Sequence, residues 1–498
     1  MEQLHTPTQA ARWLRERVTG ALWTDSRMVG GGDGFIAWPG ASTDARRYVG
    51  QVLAAGAQAC LVEQQGAEAF GFSDSRVAAY VGLKAATAPI AAEFFDHPAS
   101  KLDMLAVTGT NGKTSTAWWL AQALDTLGRP CGVVGTLGMG QPGAMVFNGM
   151  TTPDPVLLQQ QLKHWTDEGF AACAIEASSI GIAEHRLDAT DIDVAIFTNF
   201  TQDHLDYHQT MASYWEAKAS LFRWPGLKAA VLNIDDTKVA ELAAALCDSG
   251  LDVWTVSCAA PARLQAQAIH HGLDALAFDV VEGGDRHRLS VSLVGQYNVS
   301  NLLGVMAALR SLGLPLQDVV QACAGLSPVP GRMDAIALAG RPLVVVDFAH
   351  TPDALEKVLD ALRPLASGRG GQLWCVFGCG GERDAGKRPL MAAAAEKGAD
   401  HIVVTSDNPR GEDPQSIIGQ ILRGLSHTGA AEVQPDRALA IAHSIDRAQA
   451  RDVILLAGKG HENYQEAAGI KLPFSDRAHA QAALARDASA ASTAGGLA

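Results

Sequence analysis

The segment Gly109-Thr110-Asn111-Gly112-Lys113-Thr114-Ser115 follows the apolar run 104–107 and leads into a helix-like stretch at 116–124. A glycine-rich turn between a buried strand and a helix start presents free N–H groups and the positive end of the helix dipole, which together favour an anion. Lys113 is placed to reach β- and γ-phosphates, and the Thr114 hydroxyl to ligate Mg²⁺. The general phosphate-loop pattern requires a glycine at position 107, where Val107 stands. The signal therefore rests on the Gly-Lys-Thr-Ser sequence at a strand-to-helix junction.

Other groups carry matching chemistry. Glu176 ends the apolar run 171–175, so a carboxylate sits at the carboxyl end of a strand expected beside the loop, where a metal ligand belongs. His204 lies just past the buried run 194–197; a lone histidine is more often a hydrogen-bonded surface residue, and its position at a strand end shifts the balance toward function. Four further runs, 343–346, 373–377, 401–405 and 453–457, each end in polar residues: Asp347 and His350, then 378–383, then Asp407-Asn408-Pro409-Arg410, then Gly458-Lys-Gly-His-Glu462. In an open parallel sheet these ends converge on one crevice. Two arginines and two acids there suit a zwitterion, with guanidinium forks for carboxylate and acids for ammonium.

The elements that must position these residues form an α/β protein of three domains. Residues 1–88 read as a small α/β unit, 89–331 as a phosphate-loop domain on a largely parallel sheet, and 332–498 as a Rossmann-like domain; beyond about Leu484 the small polar tail is expected to fray. Of 498 residues, 48% are hydrophobic and 18% charged, a globular composition. The net charge of −14 argues against a nucleic-acid coat, leaving small molecules as partners. The 8 cysteines form no CxxC pair, and Cys375 and Cys379 read as buried apolar residues in a reducing compartment. Residues 1–20 lack the apolar core of an export signal, and the uncharged window 130–153 reads as a glycine-rich loop with short strands, not a membrane span. A cytoplasmic monomer is the expectation.

Taken in order, several motifs resemble those of the Mur ligases, ATP-dependent amide-forming enzymes of peptidoglycan precursor synthesis. They are 109–114, Thr151-Thr152-Pro-Asp154, Glu176-Ala-Ser178-Ser179, 203–208, 214–218, 298–301, Gly331-Arg332, 347–353 and 458–462. The Asp407–Arg410 motif resembles that of the branch adding meso-diaminopimelate to UDP-N-acetylmuramoyl-L-alanyl-D-glutamate. The resemblance implies ATP contacts from 109–115, Asn301, Arg332 and Asp347. It implies UDP-sugar-dipeptide contacts from Ser26, Thr151, Thr152, Ser178, Glu184 and Arg186, with the loop Ala41-Ser-Thr43 near the uridine. Diaminopimelate falls to Arg383, Asp407, Asn408, Pro409, Arg410, Gly458 and Glu462. Mg²⁺ falls to Thr114, Glu176, His204 and a carbamylated Lys218. The sequence departs from the family at Ile180, at Glu184 where glutamine is frequent, and at Phe348 where tyrosine is frequent.

The implied reaction activates the D-glutamate γ-carboxylate as an acyl phosphate, which the amine then attacks. Lys113, Glu176, His204 and Lys218 are the expected catalytic set. A ligase adding L-lysine at the same step, folylpolyglutamate synthase, a phosphate-loop kinase or ATPase, and a non-catalytic nucleotide binder stay open as alternatives.

Overall fold

The computed structural model describes residues 1–40, 43–271, 275–427 and 429–494. Its strands form three main sheets, each built from apolar runs too short and too β-branched for helices.

The first sheet is wholly parallel, in the order Glu2–Leu4, Val77–Tyr80, Ala59–Glu63, Gly34–Ala37, Leu22–Trp23. Helices Pro7–Arg15 and Leu83–Phe94 cover one face through Ala10, Leu14, Leu83 and Ile90. Position 88, the expected boundary, falls inside the second of these helices, whose buried face belongs to this first core.

The second sheet has 11 strands. At its heart Asp103–Thr108 lies between Val194–Phe197 and Ala172–Glu176, all parallel, so the three segments leaving their carboxyl ends emerge side by side. The expectation of a largely parallel sheet holds for this heart and is corrected at both edges. Gly138–Gln141 and Ala144–Val146 add antiparallel strands on one side, and Leu276–Glu282 and Asp285–Val291 on the other. The latter pair needs cover on one face only: Leu276, Phe278 and Val280 are buried while the residues between them are not.

The third sheet runs Asp334–Ile336, Leu343–Asp347, Val453–Ala457, Leu373–Phe377, His401–Val404, Glu432–Val433, parallel except for its first pair. Apolar clusters fill both faces. A hairpin, Tyr464–Ala467 with Ile470–Pro473, follows, and then helix Asp476–Ala494. The tail expected to fray past Leu484 continues this helix to Ala494, in keeping with the high helix propensity of its alanines. Cys375 and Cys379 are free thiols, and burial pushes both up to about 12. Among the described residues no helix is long and apolar enough to cross a membrane.

Helix Lys113–Thr126, which starts at the phosphate loop, is held from behind by Trp119; its ring is 2% exposed and its Nε1 donates to Ser327 O at 3.0 Å. Trp119→Ala is expected to cost about 3–5 kcal/mol, measured as an earlier denaturant transition of the central lobe.

Candidate active site

The phosphate loop is fixed by hydrogen bonds to the segment leaving Val194–Phe197. Thr110 N donates to Asn199 O at 2.9 Å, Thr110 Oγ1 to Thr201 O at 3.0 Å, and Asn111 N to Asn199 Oδ1 at 2.9 Å. Lys113 curls over the loop, donating to Gly109 O and Thr110 O, both at 2.8 Å. Lys218, on helix Met211–Ala219 and 1% exposed, reaches the same Gly109 carbonyl at 2.8 Å and lies 4.7 Å over the Tyr214 ring. Burial, and then the Lys113 charge, push the Lys218 amine well below its ordinary pKa. Burial also lowers Lys113, against the pull of Glu176 and Asp203.

Glu176 is buried beside the loop, with Oε1 accepting from Thr136 N at 2.8 Å and Oε2 from Thr136 Oγ1 at 3.2 Å. His204 takes a left-handed backbone conformation, φ 54°, and its Nε2 lies 3.5 Å from Asp203 Oδ2, which His350 approaches from the third sheet at 3.9 Å. Burial holds the His204 and His350 imidazoles down at about 4, so both stay neutral at pH 7. Among the described residues no three His, Cys, Asp or Glu side chains form a ready cage for a metal. The donors present are a hydroxyl at Thr114, a carboxylate at Glu176 and a neutral imidazole at His204. Such a sparse set fits Mg²⁺, which keeps several waters and takes substrate phosphate oxygens as ligands.

Between the second and third sheets lies a cavity of about 1100 Å³ whose wall includes Gly112, Thr114, Ser115, Asn301, Arg332 and Asp347. Asn301 donates to Asn298 Oδ1 at 3.2 Å. Arg332 donates to Thr114 Oγ1 at 3.1 Å and stacks 4.5 Å over Phe348, so the phenylalanine that replaces the frequent tyrosine serves as a cation platform. Asp347 accepts from Met333 N at 2.7 Å and Ala349 N at 2.8 Å, pinning the chain on either side of the cavity. Asp353, to which no role was assigned from sequence, joins the lobes by accepting from Asn111 Nδ2 at 2.9 Å, and is held on its own helix by Lys357 Nζ at 3.0 Å.

On the side facing the first sheet, Thr152 Oγ1 donates to Glu176 O at 2.7 Å, Ser178 Oγ lies 2.9 Å from Thr152 Oγ1, and Arg186 Nη1 donates to Thr152 O at 2.9 Å. Thr151 and Thr136 hydroxyls meet at 3.1 Å. Thr24 lies close enough to Asp154 to oppose the rise that burial gives its carboxyl pKa, which brings the turn carrying Ser26 near this group. Glu184, expected to contact the nucleotide sugar, pairs through its carboxylate with Lys84 and Tyr207. An acceptor-only side chain between two donors binds them, where an amide would keep a donor free. Of the uridine loop, Ala41 and Ser42 lie outside the described residues.

The strand ends of the third sheet bring their polar side chains into one cluster. Asn408 Nδ2 donates to Glu462 Oε2 at 2.8 Å, and Lys459, 0% exposed, bridges Asn408 Oδ1 at 3.0 Å and Glu462 Oε2 at 2.9 Å. Asp407 Oδ1 is 3.7 Å from the same ammonium. Gly458 has φ 115°, and a Cβ there would stand 2.6 Å from Asp407 Oδ2. Arg410 donates to Gly381 O at 2.7 Å and lies 3.8 Å from Glu466 on the hairpin, which also holds Asp407 O through Gln465 at 2.7 Å. Pro409 is buried, whereas Arg383 stays at the surface with its head on Glu382 O at 3.0 Å. Lys459 lies in the 458–462 motif, where a lysine flanked by two glycines and followed by His461-Glu462 was the available sequence signal. The pocket adjoins the cavity through Gly458 N, which donates to Asp347 O at 3.0 Å.

A phosphate loop on one sheet, across a cavity from a cluster of polar side chains at the strand ends of the next, is the arrangement of a two-lobed, nucleotide-dependent enzyme. The chain belongs to the Mur ligase family: residues 107–309 match the Mur ligase middle domain and 331–460 the Mur ligase glutamate ligase domain. It is 60% identical over 496 residues to a UDP-N-acetylmuramoyl-L-alanyl-D-glutamate--2,6-diaminopimelate ligase from Acidovorax sp. (strain JS42), covering 98% of this chain and 99% of that one. A like-named protein of Pseudomonas aeruginosa is 46% identical, with 95% and 96% covered. A solved structure of a ligase of that name aligns with TM-score 0.62 at 34% identity over 94% of this chain and 95% of the other. MurF from Acinetobacter baumannii shares the fold, with TM-score 0.67 at 19% identity over 91% and 95%.

Burial separates the pocket's cations. Lys459→Met strands Glu462 without its partner and is expected to cost about 3–5 kcal/mol, whereas exposed Arg383→Ala should stay within about 0.5 kcal/mol; chemical denaturation of the two variants checks the contrast.

Proposed function

We propose that the chain is an ATP-dependent ligase that joins meso-2,6-diaminopimelate to the D-glutamate γ-carboxylate of UDP-N-acetylmuramoyl-L-alanyl-D-glutamate, in peptidoglycan precursor synthesis. The observation that carries this reading is the pocket of Asn408, Arg410, Lys459 and Glu462 abutting the wall of the nucleotide cavity.

A carboxylate is a poor electrophile, and transfer of the ATP γ-phosphoryl group to it creates a leaving group. Two anions must meet for this, and the loop's N–H groups with Lys113 offset their repulsion. Mg²⁺, held by Thr114, Glu176, His204 and a carbamylated Lys218, would neutralise phosphate charge. The neutral imidazole of His204 leaves a lone pair for such a role. Asn301, Arg332 and Asp347 would line the nucleotide. The hydroxyls of Ser26, Thr151, Thr152 and Ser178, with Arg186, would hold the UDP-sugar dipeptide, and Glu184 acts as a strut between Lys84 and Tyr207. The diaminopimelate amine then attacks the acyl carbon, and phosphate leaves as the amide forms. Asp407 and Glu462 suit the ligand's ammonium, Arg410 its distal carboxylate, with Arg383 closing the rim. The same reading carries a cytoplasmic location, a monomeric state and domain limits near the first and third sheets.

Lys218 is suited to carbamylation because its depressed pKa supplies the neutral amine that attacks carbon dioxide, losing a proton as the N–C bond forms. Native mass spectrometry and crystallography in bicarbonate should find one added carbon dioxide at Lys218 in the active complex; a free amine there would remove this part of the reading.

Arg410 discriminates diaminopimelate from lysine, since lysine lacks the distal carboxylate and would leave the guanidinium with only the distant Glu466 as ion partner. Arg410→Ala is expected to raise the KM for diaminopimelate by about tenfold or more while sparing that for ATP. Steady-state kinetics with each substrate varied in turn makes the test, and an unchanged diaminopimelate KM would remove the substrate assignment.

A further inference from the structure

Beneath the amino-acid pocket lies an ion pair whose members look like surface charges in the sequence. Arg437 opens helix Arg437–Arg447 and Asp476 opens helix Asp476–Ala494, and both side chains are 0% exposed. The pairing is bidentate, with Nε donating to Asp476 Oδ1 at 2.8 Å and Nη2 to Oδ2 at 2.7 Å. The guanidinium then reaches past these helices. Nη2 also donates to Ala457 O at 2.9 Å, and Nη1 to Ser406 O at 3.3 Å.

Ala457 immediately precedes Gly458, and Ser406 immediately precedes Asp407, so one guanidinium grips the roots of both pocket segments. These segments leave strands that are not neighbours, because Leu373–Phe377 runs between them. The middle strand gives way at Gly378, where a Cβ would stand 2.4 Å from Thr405 O, and the 405–407 segment crosses over its end to reach Gly458. Main-chain bonds tie each root elsewhere, Ser406 N to Pro435 O at 3.3 Å and Gly458 N to Asp347 O at 3.0 Å. The other links between the two segments run through Lys459, Asn408 and Glu462, and the pocket reading gives Asn408 and Glu462 to the ligand as well. Arg437 is outside that set.

We propose that Arg437, locked by Asp476, is a positioning residue for the amino-acid pocket, fixing the spacing between the 407–410 and 458–462 segments that admits a diamino dicarboxylate. The inference rests on the pocket reading given above. A rigid donor fork serves this purpose because its two bonds have fixed geometry, which a lysine ammonium does not reproduce. Its charge is secure: burial opposes it, but Asp476, then Asp407 and Glu462, hold the guanidinium pKa above its ordinary value. Sub-ångström placement of binding groups matters because a displacement of about 1 Å can cost about a hundredfold in rate.

The test uses the full chain and two variants. Arg437→Lys keeps the charge and loses the fork; Arg437→Met with Asp476→Leu removes both buried charges while keeping volume, an exchange that ion pairs of this kind tolerate. Each should raise the KM for meso-diaminopimelate about tenfold or more, narrow the preference over L-lysine, and leave the KM values for ATP and the UDP-dipeptide within about twofold. An unchanged diaminopimelate KM in a folded variant would overturn the proposal, as would a parallel rise in all three constants or a fall in kcat alone, which mark a structural role. Arg410→Ala, measured alongside, separates the two levels. If it too leaves the diaminopimelate KM unchanged, the pocket reading fails; if it alone raises that constant, only the role of Arg437 fails.

Discussion

Two lysine amino groups, those of Lys113 and Lys218, converge on one carbonyl, Gly109 O, inside the protein. Like charges held this close with little water are costly, and the surrounding structure answers that cost. Glu176 and Asp203 supply opposing charge, burial pushes the Lys218 amine toward its neutral form, and the phosphates of a nucleotide would complete the balance. The site is therefore arranged for an anion before one arrives, which is the condition for stabilising charge in a transition state without reorganising the protein.

That arrangement follows from sheet topology. Placing Asp103–Thr108 between Ala172–Glu176 and Val194–Phe197 brings the loop, Glu176 and the His204 segment to one edge. The third sheet presents its own carboxyl ends across the cavity, where Asp347 holds the chain at Met333 and Asp353 bonds the phosphate loop at Asn111. On the proposed reading, pairing an activated carboxylate with an amine draws on both sheets, since each would supply one reactant. The Asn111–Asp353 bond shows how closely the phosphate loop is tied to the lobe that would bring the amino acid.

Much of this was legible in the sequence because the chemistry is local. The phosphate loop is contiguous, Glu176 directly ends its apolar run, and the strands 194–197, 373–377 and 453–457 coincide with unbroken buried runs. What was not legible depends on distance. Arg437 and Asp476 are separated by 39 positions and read as two ordinary helix-start charges; only the fold shows that they share a buried site. The antiparallel edge of the central sheet alternates in a pattern shared with exposed hairpins, and Glu184 was assigned by its position in a motif, while Lys84 and Tyr207 decide its partners in space. The terminal helix was missed because small polar composition was weighed above the helix propensity of alanine.

The central claim is that phosphate transfer and amide formation are coupled through a pocket that requires diaminopimelate. Its most direct test is phosphate release from Mg·ATP with UDP-N-acetylmuramoyl-L-alanyl-D-glutamate, comparing meso-diaminopimelate, L-lysine and no amino acid, with the product weighed by mass spectrometry. The account predicts turnover with diaminopimelate alone and a tripeptide product. Equal release with lysine would contradict the role given to the Asp407–Arg410 motif, and release indifferent to any amino acid would make the protein an ATPase and contradict the account as a whole.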